Sequence, residues 1–361
     1  MTSPTEGRTG QRRAAVVGTG LIGGSIGLAL RARGWHVTGR DRDPLRADQA
    51  LALGALDAVG DDQEAEVTFL ATPVGAVVEE AAVALKEGPG VVTDVGSVKT
   101  SIVRSVDDPR FVGGHPMAGS EQEGVAGADV ALFSGSVWVL TPVTGTDPAA
   151  HSLVRSVVSS LGAEVVELPP DHHDALVAVV SHVPHLTAAV LMGLAAVRAE
   201  EHSVLLRLAA GGFRDMTRVA AGDPGIWPDI CVENASPIIE LLGRLEESLA
   251  TVRALVEGGD RAGLLRTLED ARSARVNLPM RVAELAEMAE LRVPVPDRPG
   301  VLAEITTLAT ERGVNIADLE IAHSGEGDAG IVILMVEAAT VDRLSEALDQ
   351  RGYHPSRRNL E

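Results

Sequence analysis

The chain has 361 residues, long for one core, so two or three domains are expected. Its 51 acidic and 31 basic residues give a formal net charge of -20, which argues against nucleic acid or an anionic membrane as partner, because both need a basic face. The only cysteine, Cys231, leaves no intrachain disulfide and suits a cytoplasmic location; no apolar run is read as transmembrane, and residues 1–11 are read as a disordered polar tail without a signal core.

Ala14-Ala15-Val16-Val17 reads as a buried parallel strand. The loop Gly18-Thr19-Gly20-Leu21-Ile22-Gly23 follows, then a helix over residues 21–33 ended by Gly34. Strand, glycine loop and helix together form the context that a dinucleotide-binding fingerprint requires. Gly18 permits the tight turn, Gly20 lets the backbone approach a pyrophosphate, and Gly23 lets the helix pack on the strand. The helix start at Leu21 and Ile22 supplies N–H donors for phosphate. A second strand, 35–39, leads to Asp41. A carboxylate there accepts from a ribose 2′-hydroxyl and repels a 2′-phosphate, so NAD is the expected cofactor. Arg40 and Arg42 flank it and leave NADP tolerance open. The competing reading is a glycine turn with no nucleotide.

Further strands are expected at 67–71, leading into Thr72-Pro73, and at 91–95, leading into Gly96-Ser97-Val98-Lys99. Strands at 137–140 and 164–166 close the sheet. Interleaved strands and helices imply an α/β fold with a doubly wound, mostly parallel sheet over residues 12–170. Ligands in such sheets sit at the carboxyl ends of strands, so Thr72, Ser97 and His115 are expected in one cleft, with Thr72 and Pro73 on the cofactor side.

Gly113-Gly114-His115-Pro116 is read as an exposed, shaped loop end. A neutral imidazole there accepts a proton from a hydroxyl as hydride leaves the same carbon. The competing reading is a histidine bonded to a loop carbonyl. Ser97 would orient His115 or the substrate hydroxyl, or cap a helix from Val98 onward. Lys99 is balanced between a site charge and a solvated one.

After Pro170 the strand pattern stops, and helical periods dominate residues 171–289, for example over 175–199 and 237–257. The apolar content of this segment suggests packing between subunits. His172, His173, His182 and His185 cluster here. A zinc site is weighed and set aside, because Pro184 divides the pair spaced three apart and no cysteine is near, so no metal is expected. Arg214 and Arg218, four apart, would share a helix face suited to carboxylates. The alternative is two solvated arginines, one paired with Asp215.

From residue 290 to 361 the order is strand (291–295), helix (300–312), strands (315–322 and 329–337), helix (341–350) and a short strand near Tyr353. This βαββαβ order is ferredoxin-like.

The assembled motifs resemble the prephenate and arogenate dehydrogenases of tyrosine biosynthesis, in the form with a C-terminal ACT domain. The carriers are Gly18 to Ser25, Asp94-Val95-Gly96-Ser97-Val98-Lys99, and Gly113-Gly114-His115-Pro116-Met117-Ala118-Gly119-Ser120-Glu121. His173-Asp174, Ser181-His182-Val183-Pro184-His185, Gly212-Phe213-Arg214-Asp215-Met216-Thr217-Arg218, Asp223-Pro224 and Trp227 follow in order. The resemblance implies an NAD-dependent oxidative decarboxylation of prephenate to 4-hydroxyphenylpyruvate. His115 would polarise the ring hydroxyl and Ser97 would orient it. Arg218 would hold a substrate carboxylate, with His185, Ser120, Glu121 and Trp227 lining the pocket. Many relatives carry lysine where this chain has Arg214, so that residue is carried over by charge alone. The helical domain would form a homodimer. Asp297-Arg298-Pro299-Gly300-Val301-Leu302 and Gly313-Val314-Asn315-Ile316 resemble an ACT domain, for which tyrosine is the expected ligand and a purely structural domain the alternative.

Arogenate dehydrogenase is the nearest competing enzyme, with the same residues and an ammonium in place of the keto group. Lysine-based β-hydroxyacid dehydrogenases are disfavoured, because residues 171–291 contain no lysine. An amino-acid-sensing regulator is the non-enzyme alternative.

Overall fold

The computed structural model describes residues 11–119, 122, 124–201, 208–209, 211–276, 288–296, 298, 300–323 and 329–359. The tail expected over 1–11 lies outside the described residues apart from Gln11. The chain divides into two units, residues 1–271 and 272–361.

The first unit is organised by an eight-stranded sheet of order β3-β2-β1-β4-β5-β6-β7-β8. Its strands are β1 (Arg13–Val17), β2 (His36–Arg40), β3 (Ala58–Val59), β4 (Val67–Leu70), β5 (Val91–Asp94), β6 (Phe111–Pro116), β7 (Val137–Thr141) and β8 (Glu164–Glu167). Strands β1 to β6 run parallel, in the order of a dinucleotide-binding fold. β7 pairs antiparallel to β6, with His115 opposite Val139, and β8 runs parallel to β7. The central strands are runs of Ala, Val, Phe and Leu, because helices cover both faces.

The helices of this unit are α1 (Leu21–Arg31), α2 (Pro44–Ala52), α3 (Val74–Glu87), α4 (Thr100–Ser105), α5 (Pro148–Ser160), α6 (Pro170–Val177), α7 (Val183–Glu201), α8 (Gly211–Thr217), α9 (Trp227–Glu233), α10 (Ala235–Glu257) and α11 (Arg261–Val276). α1 stops at Arg31, and Gly34 takes a positive φ three residues on. Trp35, Phe69, Phe133 and Trp138 anchor an otherwise aliphatic core. On the other side Ile230 of α9 packs among Val17, Leu70 and Val74, which ties the helical segment to the strand ends.

A π-helical turn, Ala178–His182, joins α6 to α7. This continuous stretch corrects the expectation that no apolar run reaches membrane length: Pro170–Ala199 is long and apolar enough by length and composition. Only 28% of its most apolar 18 residues is buried within the chain.

The second unit carries a four-stranded antiparallel sheet of order β10-β11-β9-β12. Its strands are β9 (Met288–Pro296), β10 (Ile316–His323), β11 (Ala329–Glu337) and β12 (Ser356–Asn359). The helices Val301–Glu311 and Val341–Gln350 complete the expected βαββαβ order. Leu291, Val293, Ile305, Leu308, Leu334 and Leu344 form its aliphatic core.

Candidate active site

The glycine loop is shaped by close backbone approach. Gly18 has φ +91°, and a Cβ on it would lie 2.4 Å from the Ala71 carbonyl oxygen. A Cβ on Gly23 would lie 1.9 Å from the Gly18 oxygen, so only glycine lets α1 start this near β1. At Gly20 a Cβ would meet no protein atom within 4 Å. Gly20 is the N-cap of α1 and offers no side-chain cap, so the first N–H groups, at Leu21 and Ile22, are left to an outside acceptor. No acidic side chain lies in that first turn. At the end of β4, Thr72 has its Oγ1 buried without a protein partner, and Pro73 precedes α3. An open backbone approach, an uncapped helix start and an orphaned hydroxyl fit a dinucleotide.

Asp41 Oδ2 accepts from the Thr19 N–H at 2.8 Å, and Oδ1 accepts from the Asp43 N–H at 3.0 Å. These bonds aim the carboxylate beside the loop, where the ribose reading requires it. Arg40 is turned away: its Nε donates to Asp61 at 2.6 Å and its Nη2 to Glu80 at 2.5 Å.

His115 is the penultimate residue of β6 and only 8% exposed. The exposed loop end expected for it is therefore corrected. Gly113 and Gly114 precede it because the strand is pressed between neighbours. A Cβ on Gly114 would stand 2.7 Å from the Asp94 carbonyl oxygen, and one on Gly113 would stand 2.4 Å from Thr141 Oγ1. His115 Nδ1 lies 2.8 Å from His173 Nε2, and His173 Nδ1 lies 2.8 Å from Asp174 Oδ1. The competing bond to a loop carbonyl is not what holds the ring. Burial, then the neighbouring His173, Lys99 and His182, holds His115 well below the usual histidine value, so it is a neutral acceptor.

Asp174 also accepts from the Lys99 N–H and the Thr100 N–H, each at 2.8 Å. It therefore caps α4, which begins at Thr100, and this corrects the reading of Ser97 as the cap. Ser97 stands half-buried in the turn between β5 and α4, near the end of the strand beside β6. Burial would raise the Asp174 carboxyl, but the bonds from His173, Thr100 and the two backbone groups prevail and hold it low.

Lys99 is fully buried, its ammonium on the Asp94 carboxylate, so the solvated alternative is excluded. Asp94 also accepts from the Gly96 N–H at 2.8 Å and the Gly114 N–H at 3.1 Å, which joins the β5 turn to β6. Burial lowers the Lys99 amine, and Asp94 opposes that shift.

The remaining histidines divide. His172 is exposed. His182 is buried, accepts at Nδ1 from Asn234 at 3.0 Å, and has its Nε2 buried without a partner. His185 stacks on Trp227, with ring centroids 3.5 Å apart. Among the described residues no group of three or more His, Cys, Asp or Glu could hold a metal ion.

Arg214 lies in α8 and donates to the Ala209 carbonyl at 3.2 Å, while Arg218 opens the following 3-10 turn, Arg218–Ala221. Both are exposed. Arg214 lies inside the helix and Arg218 at the first residue of the turn that continues it. Ser120 and Glu121 lie outside the described residues.

Sequence reasoning gave no chemical role to His173, Asp174 or Asp94. The adjacent His173-Asp174 was visible as a motif, yet only the fold brings it 58 residues back to His115.

The chain is similar to known proteins along most of its length. Residues 26–167 match the prephenate dehydrogenase nucleotide-binding domain, 169–270 the prephenate dehydrogenase dimerization domain, and 289–352 the ACT domain. The prephenate dehydrogenase of Bacillus subtilis is 35% identical over 333 residues, 88% of this chain and 90% of that protein. A crystal structure of prephenate dehydrogenase from A. aeolicus, in complex with hydroxyphenyl propionate and NAD+, superposes with a TM-score of 0.71 at 30% identity, covering 75% of this chain and all of that one. A Synechocystis arogenate dehydrogenase superposes with a TM-score of 0.64 at 31% identity, covering 73% of this chain and 98% of that one. On sequence and fold together, this chain belongs to the prephenate dehydrogenase family.

Proposed function

We propose that this chain is an NAD-dependent prephenate dehydrogenase that converts prephenate to 4-hydroxyphenylpyruvate by oxidative decarboxylation. The observation that carries it is His115, a buried neutral imidazole near the carboxyl end of β6, in the same sheet whose first strand leads into a glycine loop shaped for a dinucleotide. Gly18, Gly20, Leu21, Ile22, Gly23, Asp41, Thr72 and Pro73 hold the cofactor. When bound, NAD supplies a nicotinamide that takes hydride from the ring carbon bearing the hydroxyl.

His115 Nε2 accepts the hydroxyl proton as the C–H electron pair leaves, and Ser97 orients that hydroxyl. The C–C bond to the ring carboxylate then breaks, and its electron pair enters the ring as CO₂ departs. His115 returns the proton to the phenolate oxygen, so no proton is released overall. Arg218 receives a substrate carboxylate and Arg214 adds positive charge. His185 and Trp227 form an aromatic wall, with Ser120 and Glu121 read as pocket residues from sequence.

We read residues 12–170 as the cofactor domain, 171–289 as a dimerisation domain and 290–361 as an ACT domain. Exposed Val190, Leu194 and Val197 of α7 and Ile239 and Leu249 of α10 support a homodimer built on the helices. Tyrosine is the proposed ACT ligand, and the cytoplasm the proposed location.

The test is NADH formation with prephenate and with arogenate, using wild type and His115→Asn. Turnover of prephenate that disappears in the variant while NAD still binds supports the function and the role of His115. Preference for arogenate keeps the chemistry and changes the substrate, and turnover of neither ends the reading.

A further inference from the structure

We propose that His173 and Asp174 are positioning residues that fix the tautomer of His115, with the proton on Nδ1 and the lone pair on Nε2. The inference rests on His115 being the base in the reading above.

The argument follows protons along two hydrogen bonds. The Asp174 carboxylate accepts from Lys99 N–H, Thr100 N–H and His173 Nδ1, each at 2.8 Å. Two backbone donors and a carboxyl held in its ionised form leave Asp174 only the acceptor role, so the third proton belongs to His173 Nδ1. With that proton on Nδ1, a His173 ring carrying one proton presents its lone pair at Nε2. The 2.8 Å contact from His173 Nε2 to His115 Nδ1 needs one proton, and only His115 Nδ1–H can supply it. His115 Nε2 is left bare, and no described side chain occupies it.

The opposite arrangement would put the proton on His115 Nε2. That ring would donate to the hydroxyl and could not take its proton. The logic is that of a buried carboxylate orienting a catalytic imidazole, with a second imidazole interposed. It also serves the charged state. When His115 takes the proton, its Nδ1–H remains directed at His173, which in turn faces the Asp174 charge. Because Asp174 also caps α4, the relay is anchored to the turn that carries Ser97.

The first measurement is ¹⁵N NMR of histidine-labelled wild-type enzyme, with His115 assigned from the spectrum of His115→Asn. A protonated Nδ1 and a bare Nε2 are expected, and a proton on Nε2 overturns the proposal. It needs no substrate, so failure to turn over prephenate would sink the function without touching this result. The second compares His173→Gln with His173→Leu. The Leu variant, lacking an acceptor, should lose kcat by on the order of 100-fold with KM for prephenate little changed. The Gln variant keeps an oxygen for Nδ1–H and should recover about tenfold of that loss. Equal kcat in the two variants overturns the relay. If His173→Leu does not fold, the wild-type spectrum decides alone.

Discussion

The Arg40 guanidinium is clamped by Glu80, Nη1 to Oε1 at 3.3 Å and Nη2 to Oε2 at 2.5 Å. The bond to Glu80 leads the interactions that raise Arg40 further above its ordinary value, so its charge is permanent and already used. An arginine at the end of β2 is where a 2′-phosphate would be received, and here that group is committed elsewhere. Arg42, exposed beside Asp41, is left as the one flanking cation, and Asp41 is the carboxylate that would read the ribose. Replacing Asp41→Asn removes the charge that repels a 2′-phosphate while keeping an oxygen for Thr19. The ratio of kcat/KM for NAD over NADP should fall by about 10- to 100-fold, the worth of one charged hydrogen bond of about 1.5–3 kcal/mol. An unchanged ratio would mean that Asp41 does not read the ribose.

Two glycines of one loop should respond in opposite ways. A methyl on Gly20 meets no protein atom, whereas one on Gly23 collides with the Gly18 carbonyl. Gly20→Ala should leave the unfolding free energy within about 1 kcal/mol of wild type yet weaken NAD at least about tenfold, since the methyl fills the approach of the pyrophosphate. Gly23→Ala should destabilise the fold by about 1–3 kcal/mol even without cofactor, by forcing α1 off β1. Urea unfolding beside NAD titration separates the two. A Gly23→Ala protein as stable as wild type would refute the steric account.

The difference between these glycines was legible before any coordinates, because strand, loop and helix are local signals. So were the mostly parallel, doubly wound character of the sheet and the βαββαβ order of the second unit, for the same reason. The surroundings of His115 were not legible. Gly113 and Gly114 look like a flexible approach in sequence, but they are small because Asp94 and Thr141 press on β6. Asp174 is 75 residues from the N–H group of Lys99 that it accepts, and no periodicity announces such a pairing. Arg214 and Arg218 lie on either side of the point where the helix Gly211–Thr217 passes into a 3-10 turn, a change that their i, i+4 spacing does not announce.

Lys99 shows the cost of an unpaired charge. Both it and Asp94 are fully buried, and the Asp94 carboxylate also receives the N–H groups of Gly96 and Gly114. Lys99→Met would leave that carboxylate without its counter-charge in the core. Removing one partner of a buried pair destabilises by about 3–5 kcal/mol. The unfolding free energy of Lys99→Met should fall by that amount. A double variant, Lys99→Met with Asp94→Asn, should be less damaged than the sum of its single changes. Strict additivity of the two losses would show that the pair is not coupled.

Acid should destabilise this fold earlier than an average carboxylate would require. Burial pushes His182 down to about 4 from an ordinary 6.5, and lowers His115 as well. The unfolded chain therefore binds protons below about pH 6.5 that the folded chain refuses until near pH 4. Stability is lost as pH falls through that window, by up to about 1.4 kcal/mol per pH unit for each such histidine. Asp174, held below its ordinary value, adds a loss of the same sign at lower pH. His182→Asn should flatten the slope between about pH 6.5 and pH 4 without abolishing it, because His115 still refuses its proton. Denaturant midpoints at several pH values check this. Midpoints in wild type that do not move across the window would mean the histidines titrate in the folded chain as they do in water.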